Sequence, residues 1–496
     1  MKDFFKMLRF SNIKSTLNHY GASLSLLRFM VYIIGVGLSA VAICFYLKLS
    51  PAYISVVSII TMLMVPSILL STYKSKYEAN RFDETVNYLE QMIYSFRKKQ
   101  KVKVALEDVY SSTTGYMKSV IKKAIDFIEK GEAENDLYGE ALEIISNEYD
   151  CSRIDTLHSY FREVEVNGGD SRKALSVLLN DIRDWSIRTL KYQQSRYGVK
   201  KRVGISILLS LFTCSIMFNF IPEEYISAIV GSSVYQIITS LVLISCVFFF
   251  TLISKKVAGS YLDNEQNDTD TDLAMKYYEK IQNYDSAKAY RKVLIEVVIM
   301  IAMAAVCFIL NLGYITVVPL LVAAYLMYSG STELSRMKKR VEKAINSVFP
   351  TWLRNLILHL QTDNVHVALA NSIKSCPPIL KPEIKNLLLG IAKSPNSIEP
   401  YSNFLKDYNA PEMKNSIKFL YSLAEFGTDD MVTQLDELVR QNSVLTTTAE
   451  EIKNEDSLAV MNMLTYAPMI FACGKLLVDL ALFFNIFMGY MSSFGM

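Results

Sequence analysis

Residues 29–47, FMVYIIGVGLSAVAICFYL, and residues 52–70, AYISVVSIITMLMVPSILL, are two uncharged blocks separated only by Lys48, Leu49, Ser50 and Pro51. Each has the ~20 apolar residues that a helix needs to cross the hydrocarbon core of a bilayer. The short break with Pro51 makes a tight hairpin turn. The same pairing recurs along the chain. Val203–Ile221, ended by Pro222, is followed by Val234–Ile253, stopped by Lys255 and Lys256. Val293–Leu310 and Tyr314–Tyr328 form a third pair, split by Asn311 and Gly313. The last block, Ala459–Met491, is too long for one span and carries Gly474 and Lys475 at its middle, so two short spans joined there are predicted. The expected class is therefore an all-α, polytopic membrane protein with eight transmembrane helices.

Composition agrees with that class. Of 496 residues, 51% are apolar or aromatic and 20% charged, and the mean hydropathy is +0.21. A soluble chain of this length would form about three domains of ~150 residues, but here the apolar residues sit in long blocks. The net charge of +3, from 52 basic and 49 acidic residues, gives no reason to expect nucleic-acid binding. The seven cysteines are scattered and form no CxxC pair, which excludes a disulfide framework and a zinc site. No small-residue cleavage site follows the first apolar block, so an uncleaved membrane protein is expected.

Orientation follows from lysine and arginine near the span ends. Lys2, Lys6, Arg9, Lys14 and Arg28 precede the first span; Lys74, Lys76 and Arg81 follow the second; Lys200, Lys201 and Arg202 precede the third. Lys255, Lys256, Arg291 and Lys292 border the central loop, and Arg336, Lys338, Lys339 and Arg340 follow the sixth span. With alternating spans all of these share one side. The expected organisation is an N-terminal segment 1–28, hairpins 29–70, 203–253, 293–328 and 459–496, cytoplasmic helical domains 71–202 and 329–458, and a cytoplasmic acidic linker 254–292. Both large domains then face the cytoplasm from the cell membrane, with only short loops outside.

The order hairpin, polar domain, hairpin occurs twice, and residues repeat with it. Val104-Ala105-Leu106 recurs as Val367-Ala368-Leu369, and Gly168-Gly169-Asp170 has its counterpart in Gly427-Thr428-Asp429. The interval from Val104 to Gly168 is 64 residues, and from Val367 to Gly427 it is 60. Phe82, Val86, Leu89, Ile93 and Phe96 alternate steps of four and three, and Ile345, Phe349, Trp352, Leu356 and Leu360 recur in steps of four, three, four and four: one apolar helix face in each copy. After the Gly-x-Asp turns, Leu175, Leu178, Ile182 and Trp185 give a further stripe, and Val432, Leu435 and Val439 another. Gly168-Gly169 is suited to end a helix, and Asp170 or Ser171 to cap the next. The linker Asp263–Asp272, acidic and polar, is expected to be mobile and to contribute to no core.

Catalytic motifs are missing. The only Gly-Lys pair, Gly474-Lys475, is followed by leucine, so no phosphate-cradling loop exists. His19, His158, His359 and His366 are isolated, and no GxSxG surrounds a serine. Asp268, Asp270, Asp272 and Glu279 match positions one, three, five and twelve of a calcium loop, but Leu273 stands where the sharp turn needs glycine. No enzyme activity, cofactor or metal is expected. Three ionisable residues fall at membrane depth: Glu296, one turn inside the edge, and Lys475 and Asp479, four apart and so on one helix face. Lys475 can pair with Asp479 or snorkel to water; an ion-coupled transporter using these three residues is the alternative reading. Finally, Arg97, Lys98, Lys99, Lys101 and Lys103 lie ~27 residues beyond the second span, past the reach of the orientation bias. They form a candidate docking patch for an acidic partner or lipid headgroups. The equivalent stretch Gln361–Val367 has no basic residue.

The amphipathic stretch Phe82–Arg97, then Val104-Ala105-Leu106, then Gly168-Gly169-Asp170 before a helix with Leu175, Ile182 and Arg183, resembles the F-domain of type II secretion. That domain belongs to membrane platform proteins of type II secretion, type IV pili, Flp/Tad pili and archaella. Two such domains in one chain are most similar to the archaeal platforms of archaella and adhesion pili. The resemblance implies a non-catalytic platform under a growing filament of pilin-like subunits, a separate hexameric secretion ATPase bound to the cytoplasmic domains, and a dimer or trimer of the chain. It assigns ATPase docking to Arg97, Lys98, Lys99, Lys101 and Lys103, and the domain's turn to Gly168, Gly169, Asp170, Gly427 and Asp429. Thr428 departs from the pattern, standing where the first copy has Gly169.

Overall fold

The computed structural model describes residues 10–22, 24–131, 136–168, 172–262, 268–309, 317–360, 363–408, 410–426 and 431–493. Among them all regular structure is helical. The chain divides into two units, Met1–Asn264 with Asn454–Met496, and Glu265–Lys453.

In the first unit, α1 (Phe10–His19) buries Ile13 and Leu17 against Leu69, Leu70 and Tyr73. Helix α2 (Leu26–Tyr46) starts at Ser25, whose hydroxyl accepts from the Arg28 N–H. Its apolar side chains point outward, Leu27 and Phe45 being 73% and 76% exposed, as suits a helix whose solvent is lipid. A turn through Lys48, at φ 56°, leads to α3 (Pro51–Lys98), with Pro51 in its first turn. At 1.5 Å per residue α3 is ~70 Å long, over twice the hydrocarbon thickness. Its first half is apolar span; its second half buries Phe82, Leu89, Ile93 and Phe96. One unbroken helix therefore joins span and domain.

Helices α4 (Val102–Ser112), α5 (Gly115–Lys130), α6 (Leu137–Tyr149) and α7 (Ser152–Asn167) complete a bundle around that face. Helix α8 (Arg172–Ser215) puts Leu175, Ile182 and Trp185 into the same core, then continues into the next apolar block. Short α9 (Met217–Phe220) and α10 (Glu223–Gly231) precede α11 (Ser233–Val257).

The second unit begins with α12 (Asp268–Gln282), α13 (Ser286–Ile309) and α14 (Val317–Ser331). Helix α15 (Glu333–Leu360) buries Ile345, Phe349, Trp352, Leu356 and Leu360, the whole predicted face. Around it lie α16 (Val365–Ser372), a 3-10 turn Ile373–Ser375, α17 (Lys381–Lys393), α18 (Glu399–Asn403), α19 (Pro411–Phe426) and the start of α20 (Met431–Thr465). The end of α20 and α21 (Ala467–Ser493) belong to the first unit. The repeated tripeptide packs alike in each unit. Ala105 and Leu106 are fully buried in the first, and Ala368 and Leu369 in the second.

Five helical stretches among the described residues are long and apolar enough to cross a membrane: Leu26–Tyr46, Pro51–Lys98, Leu178–Phe220, Ser233–Val257 and Glu437–Met491. Helices α13 and α14 overlap the expected third hairpin but are not among these five; residues 310–316 between them lie outside the described residues. One expectation is corrected. The final block is not two spans joined at Gly474-Lys475, because α21 runs unbroken through both. The lysine needs no turn toward water, since Asp479 one turn on neutralises it within the helix. Residues 263–267 of the acidic linker lie outside the described residues, and Asp268 begins α12. Just past the linker, Ala274 and Tyr278 of α12, four apart on one helix face, sit in the second core at 4% and 2% exposure.

Candidate functional site

Two clusters contain the residues singled out from sequence, one at the turn between α3 and α4 and one among the spans.

Helix α3 ends at Lys98 and α4 starts at Val102, so Lys99, Gln100 and Lys101 make a sharp turn in extended backbone. Glu165 of α7 fixes that turn. One of its carboxylate oxygens accepts from the Val102 N–H at 2.8 Å, an orphan donor of the new helix, and the other lies 3.7 Å from Lys101 Nζ. Lys103 lies between Glu107 and Glu129 at 3.8 and 3.9 Å. The five basic residues are thus two sets. Lys101 and Lys103 have carboxylate partners, whereas Arg97, Lys98 and Lys99 are exposed and make no ion pair among the described residues. In the second unit the corresponding turn is closed by Asn364, whose Oδ1 accepts from the Val367 N–H at 3.0 Å, and by Asp363, which accepts from Asn371 at 3.0 Å. The same backbone problem is solved there without cations.

Among the spans, the Lys475 ammonium donates to the Asp479 carboxylate one turn along α21. Both side chains are shut off by protein, at 1% and 2% residue exposure, so Lys475 does not snorkel. Its Nζ stands 4.7 Å from the centre of the Tyr235 ring on α11, a cation–π contact. The Tyr235 hydroxyl donates to the Leu47 carbonyl at 2.9 Å. Gln236 accepts from the Ser50 N–H at 2.9 Å and donates to the Lys48 and Val230 carbonyls at 3.2 and 2.8 Å. These bonds satisfy backbone groups of two turns that no helix serves and no lipid can. A lone charge at membrane centre costs ~2.5–3.5 kcal/mol on insertion scales; here the pair is neutral as a unit and holds α21 against α11. Glu296 lies in the second unit, half-buried on α13, and makes no ion pair among the described residues.

Gly168 ends α7 at φ 71° and ψ −166°, a region open essentially to glycine alone. Gly169, Asp170, Gly427 and Asp429 lie outside the described residues, as does Thr428.

Sequence reasoning missed Tyr235 and Gln236, although a glutamine one turn into an apolar block is a signal in itself. It also passed over the first core's polar centre. There His158 Nε2 is 2.8 Å from the Tyr88 hydroxyl and Nδ1 is 3.0 Å from Ser146 Oγ. Burial holds the imidazole neutral, pushing its pKa down to about 3, with the Leu142 carbonyl pulling weakly the other way.

Comparison with protein-family models, curated proteins and solved structures finds no match.

Proposed function

We propose that this chain is the integral membrane platform of a filament-assembly machine of the type IV pilus or archaellum kind. It would couple a separate hexameric ATPase to the insertion of pilin-like subunits. The observation that carries this reading is the pair of struts α3 and α8. Each runs without a break from the core of a helical domain into an apolar block. A force applied to the domain reaches the spans along continuous helix and not across a loop. In the second unit α14 and α15 are separated by Thr332 alone, which supports a second domain of the same design. The matched burial of Ala105-Leu106 and Ala368-Leu369 supports an internal duplication.

On this reading both domains are cytoplasmic, as the basic flanks require, and the chain works as a dimer or trimer in the cell membrane. The ATPase docks on the exposed cations Arg97, Lys98 and Lys99, with Lys101 and Lys103 at the rim. The chain itself is not an enzyme. The Lys475–Asp479 pair serves assembly of the spans, and not an ion path, since each charge is already matched within one helix turn.

Deleting the gene tests the proposal. Filaments are expected to vanish from electron micrographs while pilin-like subunits accumulate in the membrane. Wild-type filament numbers in the deletion strain would contradict it.

A further inference from the structure

In the first unit, α3, α8 and α11 change character where they leave their apolar blocks. On the domain side Phe82 meets Trp185 edge-on at 4.8 Å. On the span side Val199, Val203, Ile253, Val257 and Met461 form an apolar cluster. Between them lies a polar layer made of Ser75 and Glu78 of α3, Gln193 and Arg196 of α8, Ser254 of α11, and Tyr261 just beyond it.

Helices α3 and α8 run antiparallel here. The register is fixed by the Phe82–Trp185 contact and by Lys200 Nζ, which donates to Thr72 Oγ1 at 3.2 Å. That register puts Ser75 level with Arg196 and Glu78 level with Gln193. The Arg196 guanidinium lies 5.2 and 4.9 Å from the Tyr192 and Tyr261 ring centres, donating to the Gly259 carbonyl at 3.3 Å and to the Lys256 carbonyl. A Cβ at position 259 would come within 2.7 Å of its Nη2, so a larger residue there would have to displace the guanidinium. Ser75 lies beside the Tyr261 hydroxyl but outside hydrogen-bond geometry.

All six residues are at most 8% exposed. In each, a side-chain polar atom has no hydrogen-bond partner among the described residues: Ser75 Oγ, Glu78 Oε2, Gln193 Nε2, Arg196 Nε, Ser254 Oγ and the Tyr261 hydroxyl. Protein interiors pair nearly all such atoms, with ordered water where protein groups do not reach. The chemistry of this layer suits water. Gln193 and Arg196 donate, Glu78 accepts, and three hydroxyls do either. A carboxylate and a guanidinium share the layer, so neither an anion nor a cation is favoured.

We propose that this layer is a hydrated joint on which the first helical domain tilts relative to its spans. Water-bridged contacts exchange partners easily, whereas the interdigitated apolar layers on either side resist shear. This inference does not depend on the platform reading; it requires only that domain and spans move.

The test is radiolytic hydroxyl-radical footprinting of the full-length protein in lipid nanodiscs. Tyr261 is expected to be modified within about threefold of the exposed Tyr94 and Tyr116, because trapped water supplies the radical. Tyr88, buried in the dry core, is the control and is expected to react about tenfold more slowly. Protection of Tyr261 to the level of Tyr88 overturns the proposal. Motion is read by hydrogen exchange: amides 72–79 are expected to exchange about tenfold faster than amides 85–93 of the same helix. Equal protection overturns the joint even if water is present. The double variant Ser75→Ala with Gln193→Leu is expected to lower both rates about fivefold while leaving Tyr88 unchanged, and unchanged rates would remove these groups from the joint. Should that variant fail to fold, the two wild-type measurements still decide.

Discussion

The two helical cores solve one packing problem with different side chains. In the first, Phe96 stacks on Phe161 at 4.0 Å with the rings nearly parallel. In the second, the aromatic contact lies two turns earlier on the long helix, where Trp352, at the position of Leu89 in the first, is tilted against Phe349 at 5.3 Å and its indole N–H donates to Ser372 at 3.1 Å. What is held constant is the face of the long helix and the buried Ala-Leu step that follows it. What differs is the chemistry of the turn between them: exposed cations in one, an Asn364 cap and Asp363 in the other. Packing constrains the core to a register, and the surface is left to carry partner specificity. On the proposed reading, the first domain is the one that would meet an acidic partner.

The sharpest way to break this comparison is to empty each core at a fully buried aromatic of its long-helix face. Phe96→Ala and Trp352→Ala are each expected to cost about 3–5 kcal/mol, read as a drop in thermal midpoint of the purified protein. A strong effect in one core and none in the other would mean that the two faces are not equivalent. Leu106→Ala and Leu369→Ala test the repeated step. Both leucines are fully buried, so similar losses of about 2–5 kcal/mol are expected.

A third test separates the cores by pH. His158 is neutral in the fold, with its pKa pushed down to about 3, and ordinary in the unfolded chain at 6.5. Below pH 6.5 the unfolded state takes up a proton that the folded state refuses, so stability falls on acidification. The slope is at most ~1.4 kcal/mol per pH unit between those values. Among the described residues His158 is the one buried histidine, so the second core has no counterpart. His158→Gln is expected to flatten the acid limb of the stability profile; an unchanged limb would show that the imidazole is not the sensor.

Smaller effects belong to the turns. Asn364→Ala removes a helix cap and is expected to cost ~1 kcal/mol. Charge reversal at Arg97, Lys98 and Lys99, exposed and without an ion pair among the described residues, is expected to change stability by less than about 0.5 kcal/mol while weakening ATPase capture in a pull-down. Undiminished capture would retire the patch.

Much of this fold was legible because helical periodicity and apolar length are local properties of the chain. The Phe82–Phe96 and Ile345–Leu360 faces and the Lys475–Asp479 pair, four apart, needed nothing else. The misreading of the last block took composition as conformation. Gly474 beside a lysine in an apolar block looked like a turn, yet Asp479 made the charge tolerable inside a continuous helix. The Ala274 and Tyr278 face of α12 lies just past the acidic stretch and went unread. The polar layer of Ser75, Glu78, Gln193 and Arg196 was illegible for a different reason. Each of these residues looks solvated on its own helix, and only the antiparallel pairing of α3 with α8 buries them together. The sharing of Glu165 between the Val102 N–H and Lys101 likewise depends on a contact 63 residues away in sequence.

The most direct measurement is ATP turnover by the purified full-length protein in lipid, alone and mixed with the secretion ATPase of the same cell. The chain alone is expected to show none, and the mixture to form a stable complex that hydrolyses ATP. Hydrolysis by the chain unaided, or failure of the two to associate, would contradict a platform driven from outside.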